Sequence, residues 1–285
     1  MIASPDPREL TQGTIFTCAF AEEYSNIPVL GMIITARCDV AQSKASILSY
    51  IPVVRLEDWL REDGRRILAQ RAEAAALSSM QGAILQAGLA SSIMQNIDYD
   101  NISAVLHETS GKAAQASAKR FSEARLSLHS ARQARLASSS APEVGVFINE
   151  NKPLFNRLMK ELVTGSIADA HYIDRSEPDE VSSGYVALLR EVRFVPAIVA
   201  DLILSGLDLE AFSRACDLNP RFRDKLAISS MDDYAMPVGM VASPYIEFIM
   251  QRITNLFSRI GVTDFPPERL QMLCALVPIE NRAAA

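Results

Sequence analysis

The chain is poor in the residues that usually announce chemistry. It holds three histidines, His107, His129 and His171, one tryptophan and four cysteines. The cysteines, Cys18, Cys38, Cys216 and Cys274, form no CxxC pair, and no histidine stands at zinc-ligand spacing, so no metal site is expected. Buried free thiols, as in a reducing cytoplasm, are the expectation instead. No P-loop, dinucleotide-fingerprint, zincin, EF-hand or nucleophile-elbow pattern occurs. Nothing in the motifs therefore points to a nucleotide, a cofactor or a hydrolase. No uncharged apolar run reaches about 18 residues, so no membrane-spanning helix is expected. The opening MIASPDPREL has neither a basic nor an apolar leader region, so no secretory signal is expected. A cytoplasmic protein is the reading that follows.

What is present is an ordinary globular composition. Of 285 residues, 49% are hydrophobic, enough for one large core or two small ones. The net charge of -6 gives no global attraction to nucleic acid or to an anionic membrane, so any such contact needs a local basic patch.

The β signals lie at the two ends of the chain. Alternation and β-branched residues predict strands over 14–20, 29–39 and 46–54, then over 185–194 and 234–243. Pro52 cannot donate to a ladder, which predicts an edge or a bulge there. Between the two groups the chain turns helical. Residues 56–97 are rich in Ala, Leu, Gln and Arg, with Leu60, Ile67, Ala74, Leu77, Met80 and Ile84 at helical spacing. A second long helix is predicted over 112–136, with Phe121, Ala124, Leu128 and Ala131 as a narrow seam and a length of about 38 Å. An antiparallel hairpin follows from this pair. Pro153 opens a helix over 152–164, a short strand is predicted at 171–173, and shorter helices cover 197–204 and 209–216. Ser243 and Pro244 start the clearest helix, with Ile246, Ile249, Ile253, Leu256 and Ile260 as its buried stripe and Gly261 as its stop. One more short helix is expected in 264–285.

Five short strands are the number for a small barrel, and a long insertion in a loop costs little closure entropy. The predicted fold is therefore α+β: a small five-stranded SH3-like barrel interrupted by a helical hairpin, with additional C-terminal helices. Residues 1–55 form the first part of the barrel and 56–138 the inserted hairpin. Residues 139–183 form a helix and an acidic loop, and 184–285 the rest of the barrel and the C-terminal helices.

Three clusters could carry chemistry. Thr35, Arg37 and Asp39 would project from one face of the second strand, holding a phosphate or a partner carboxylate, with Asp39 as acid or base. A surface ion pair with Cys38 in the core is the structural alternative. Arg190 sits in the apolar row Val186, Leu188, Val192, Phe194 of the fourth strand, so it must pair, snorkel or reach a ligand; Asp39 and Glu23 are candidate partners. Arg125, His129 and Arg132 form a helical stripe that Lys119, Arg120 and Arg135 enlarge. That stripe could grip a nucleic-acid backbone or an acidic partner, or simply solvate a coiled-coil flank.

A family resemblance joins these readings. Gln12-Gly13-Thr14-Ile15, Pro28-Val29-Leu30-Gly31-Met32-Ile33-Ile34-Thr35 and Tyr50-Ile51-Pro52-Val53 resemble the barrel opening of PemK/MazF-like proteins. The resemblance implies an SH3-like barrel and a toxin ribonuclease activity, with Arg37, Asp39 and Arg190 as the residues to hold and cleave RNA. Thr14 replaces the usual acidic residue, and Ile27-Pro28 replaces Arg-Pro. Two functions are thus carried forward. The first is a non-catalytic interaction protein, a scaffold or accessory subunit of a bacterial assembly, binding a protein partner or itself through the hairpin. The second is a PemK/MazF-like RNA-binding protein or ribonuclease. A toxin–antitoxin or phage-defence setting fits either.

Overall fold

The computed structural model describes residues 1–42, 44–108, 111–138 and 143–258. The N-terminal half contains β1 (Ile2–Ala3), β2 (Thr14–Phe16), β3 (Leu30–Ile33), α1 (Arg37–Ala41), β4 (Ile47–Arg55), α2 (Leu56–Trp59), α3 (Arg65–Gln86), α4 (Ile93–Asn96), α5 (Tyr99–Glu108) and α6 (Lys112–Leu136). The second half adds α7 (Glu143–Glu150), α8 (Lys152–Val163), β5 (Ala170–Ile173), β6 (Tyr185–Leu188), β7 (Arg193–Pro196), α9 (Ala197–Ser205), β8 (Leu207–Asp208), α10 (Leu209–Leu218), β9 (Tyr234–Ala235), β10 (Pro237–Val241) and α11 (Tyr245–Phe257). A π-helical turn, Leu60–Gly64, joins α2 to α3. Ile260, Gly261, Cys274 and the helix expected in 264–285 lie outside the described residues.

The strands before and after the helical insertion share one antiparallel sheet. Its order is β1-β10-β2-β3-β4-β6-β5, with β7 also on β4. The sheet has eight strands and curls into a half-barrel, where five strands of an SH3-like barrel were expected. Two of the expected strands are each split. The stretch 185–194 breaks at a turn, with Glu191 N donating to Leu188 O at 3.2 Å, and continues as β7. The stretch 234–243 becomes β9 and β10. β4 is central rather than an edge: β7 pairs with 47–50 and β6 with 53–55. Pro52 falls in the gap between them, where a missing donor costs no ladder bond on that side.

Alternation along the strands feeds two cores. Phe16, Ile33, Tyr50 and Val54 point to one face, which Trp59 and the helices α3, α8, α9 and α10 cover. Ile15, Met32, Ile51, Val53 and Ile173 point to the inner face, where Ile246, Ile249 and Ile253 of α11 pack. Of the stripe expected on α11, Ile246, Ile249 and Ile253 are buried and Leu256 partly so. Near the open seam of the half-barrel, the acidic loop after β5 crosses to β10. A Cβ on Gly239 would stand 2.0 Å from Ser176 O, so only glycine admits this approach. Glu180 fixes the loop, accepting from Ser176 N at 2.8 Å and from the Tyr185 hydroxyl at 2.6 Å.

The inserted helices form an arm of three helices rather than two. α3 and α6 run antiparallel, and α5 packs beside them through Ile102 and Leu106. The buried face of α3 is Leu68, Ala69, Ala72, Ala76, Met80, Ala83 and Ile84; it includes Met80 and Ile84 of the expected stripe, while Ala74 and Leu77 lie off it. Small alanines on both helices allow close approach. At the arm's base, Arg65 is only 3% exposed. Its Nη1 donates to Ala134 O at 2.5 Å and Arg135 O at 3.0 Å, and its Nε to Arg61 O at 2.8 Å. A cation thus satisfies carbonyls that the end of α6 leaves unpaired. Replacing Arg65 by alanine should cost on the order of 2–4 kcal/mol in urea unfolding, because buried acceptors lose their donor. Arg120→Ala, on the exposed flank of α6, should stay within about 0.5 kcal/mol.

Candidate functional site

The densest polar constellation surrounds Arg190. It lies on the turn between β6 and β7, not within an apolar strand row as expected, because the chain leaves the sheet at Leu189. Its Nη2 donates to Asp63 Oδ2 at 2.8 Å and Oδ1 at 3.0 Å, and its Nη1 to Asp169 Oδ2 at 3.3 Å. Glu23 Oε2 stands 4.0 Å away, so of the two expected partners Glu23 is present. Asp39 is on a different element with different contacts. Asp63 itself is buried on the π-helical turn and accepts from the Tyr24 hydroxyl at 2.7 Å. Arg66 closes the group, pairing with Glu23, with Glu62 at 3.3 Å and with Asp63 at 3.8 Å.

These groups line a recess of about 240 Å³ with Trp59, whose Nε1 is buried and makes no hydrogen bond. Its charges nearly cancel: Glu23, Asp63 and Asp169 face Arg66 and Arg190. Burial raises the Tyr24 phenol far above its usual pKa, and the Asp63 charge and hydrogen bond add to this. Tyr24 is thus a donor, never a phenolate. Burial works against the Arg190 charge, but the bond and charge of Asp63, with Asp169, outweigh it and raise its pKa. Each guanidinium already faces carboxylates, so neither presents a free cation to a phosphate. The arrangement ties the 22–24 turn, the π-helical turn and the β6–β7 turn together.

The Thr35–Asp39 stretch is built differently from the expected strand row. β3 ends at Ile33, and Thr35 Oγ1 accepts from Ser49 N at 2.7 Å. That side-chain bond takes the place of a ladder bond and releases the chain into α1. Helical spacing then spreads Arg37 and Asp39 around a turn instead of along one face. Arg37, Cys38 and Asp39 are all exposed, so Cys38 does not fill the core. Arg37 lies 3.7 Å from Glu247 of α11, and Cys38 Sγ donates to Asp39 Oδ1 at 3.6 Å. Thr35 and Asp39 do border one groove, of about 550 Å³, with Ile34, Lys44, Ile47 and Val192. That groove opens on the inner face of the sheet, whereas the Arg190 recess abuts the Trp59 core on the other face. Arg37, Asp39 and Arg190 therefore do not converge.

The basic stripe of α6 is largely spent within the arm. Arg132 and Arg135 reach Glu73 of α3 at 3.1 and 3.3 Å, and Arg125 reaches Asp100 of α5 at 2.5 Å. Lys119 pairs with Glu123 at 3.8 Å, and Arg120 Nε donates to Ser79 Oγ at 3.2 Å. His129 is exposed. Glu73 and Asp100, which pair with Arg132, Arg135 and Arg125, come from other helices, so the sequence of α6 did not reveal them.

Asp63, Arg65, Tyr24 and Trp59 escaped the sequence reading. One signal was available: Glu62-Asp63-Gly64-Arg65-Arg66 interrupts an otherwise apolar helical pattern with four charges and a glycine. Arg190→Ala should destabilise the chain by about 2 kcal/mol, since it leaves Asp63 buried without its cation. In a double-mutant cycle followed by urea unfolding, adding Asp63→Asn should cost clearly less than the sum of the single losses. No family model, curated protein or solved structure matches the chain, so its function has to be argued from these residues alone.

Proposed function

We propose that the chain is a non-catalytic interaction protein, a scaffold or accessory subunit that binds a protein partner or a second copy of itself through its helical arm. The observation that carries this reading is an apolar groove of about 640 Å³ at the arm's base, between α6 and α7. Ala134, Val144 and Phe147 form its buried floor, while Leu136 and Val146 on its rim are 78% and 59% exposed. Exposed apolar side chains around one concave surface are a feature of docking sites. Arg125, Arg132 and Arg135 meanwhile pair with acids inside the arm, which favours apolar contact over a grip on a phosphate backbone.

The ribonuclease reading needs Arg37 and Arg190 around one phosphate, and it draws less support, since Arg190 is bound to Asp63 and Asp169 and Arg37 lies by Glu247. Two measurements separate the readings. Light scattering after gel filtration should show a complex, with itself or with a partner from its host, that Leu136→Asp with Val146→Asp dissolves while circular dichroism stays unchanged. A monomer that retains no partner in either form would end the proposal. RNA incubated with the wild-type chain should stay intact; cleavage that Arg37→Ala abolishes would restore the ribonuclease reading.

A further inference from the structure

One contact of α11 with β5 joins an arginine to a histidine. Arg252 of α11 donates from Nη1 to His171 Nδ1 at 2.6 Å, and from Nη2 to Ile167 O just before β5. A guanidinium has no acceptor, so the imidazole must offer a lone pair at Nδ1 and carry its proton on Nε2. The Phe248 ring, also on α11, stands edge-on to the imidazole with centroids 5.8 Å apart. Opposite His171, β6 places Ala187, which carries no charge. The acid nearest in sequence, Asp169, is engaged by Arg190 at 3.3 Å. The positive charge facing His171 is therefore Arg252, and among the described residues no carboxylate bonds the imidazole.

We propose that α11 is an acid-released cover of the curled sheet: proton uptake by His171 converts its bond with Arg252 into a repulsion and frees the helix, exposing the apolar inner face. The surface uncovered is Ile15, Met32, Ile51, Val53 and Val241, together with Ile246, Ile249 and Ile253 on the helix itself. Among the described residues, the rest of that core comes from the strands, from Ile34 just after β3 and from Leu189 on the β6–β7 turn. Burial, and then the Arg252 charge, hold the His171 pKa down to about 4 from 6.5. Burial also lowers the pKa of Arg252, against the Asp169 charge, which raises it. The sign follows from these values. Between pH 6.5 and about 4 the released form binds the proton and the docked form does not, so docking weakens as pH falls through that window. The full window is worth up to about 300-fold in the docking equilibrium, at tenfold per pKa unit.

Hydrogen exchange by mass spectrometry on the full chain, expressed as protection factors corrected for intrinsic rates, tests this directly. Between pH 7 and 4.5 the peptide covering 245–257 should lose protection at least tenfold while peptides from β3 and β4 keep theirs. His171→Gln offers Arg252 an uncharged acceptor, so its α11 protection should no longer respond to pH. Arg252→Met removes the repelling charge and should flatten the same response. Unchanged protection of 245–257 in the wild type would overturn the proposal. So would a simultaneous loss across β3 and β4, or a pH response that survives in both variants.

Discussion

The structure depends on how one short charged turn is buried. Asp63 and Arg65 are neighbours across Gly64, and both are nearly excluded from water. Each would cost several kcal/mol if left unpaired. They are satisfied in different directions. Asp63 turns toward the sheet, where Tyr24 and Arg190 meet it. Arg65 turns toward the arm and takes the last carbonyls of α6. The π-helical geometry of Leu60–Gly64 contains Asp63 and delivers the chain into α3. Sheet and arm are thereby locked to each other through a turn of a few residues, with Trp59 buried beneath it.

That constraint accounts for the mutual pairing of charges in the recess beside Trp59. Its charges are counterparts of one another, drawn from three separate turns. A group that holds turns together through a buried ion pair has little freedom to exchange partners for substrate. The groove beside Thr35 and the groove at the base of the arm are organised in the opposite way. Each mixes apolar walls with polar groups that are partly exposed.

The inner face of the sheet follows a simpler logic. A curled sheet with Ile15, Met32, Ile51 and Val53 on its concave side must be covered, and one amphipathic helix does so. α11 is fastened in its second half by Arg252 and near its start by the contact of Glu247 with Arg37. The exposed Arg37 contact is weak in water, so the half-buried Arg252–His171 bond is the firmer of the two.

The sequence by itself determined the elements that carry their own signals. α6 begins at Lys112 and ends at Leu136, as its seam of Phe121, Ala124 and Leu128 indicates. Pro153 opens α8, Gly165 follows its end with positive φ, and Ile246, Ile249 and Ile253 of the α11 stripe are buried. These are local effects of periodicity and backbone preference, legible without knowing what packs where. The tertiary structure alone decided the pairings. Whether β6 and β7 are one strand or two depends on β4 offering both halves of one side, and no residue of 185–194 encodes that. The helical turn at Arg37 depends on Thr35 meeting Ser49, fourteen residues away. Arg190 looked like an anomaly within an apolar row because Asp63 lies 127 residues earlier in the chain. A charge can be placed by its neighbours in sequence, but its partner is chosen only when the chain has folded.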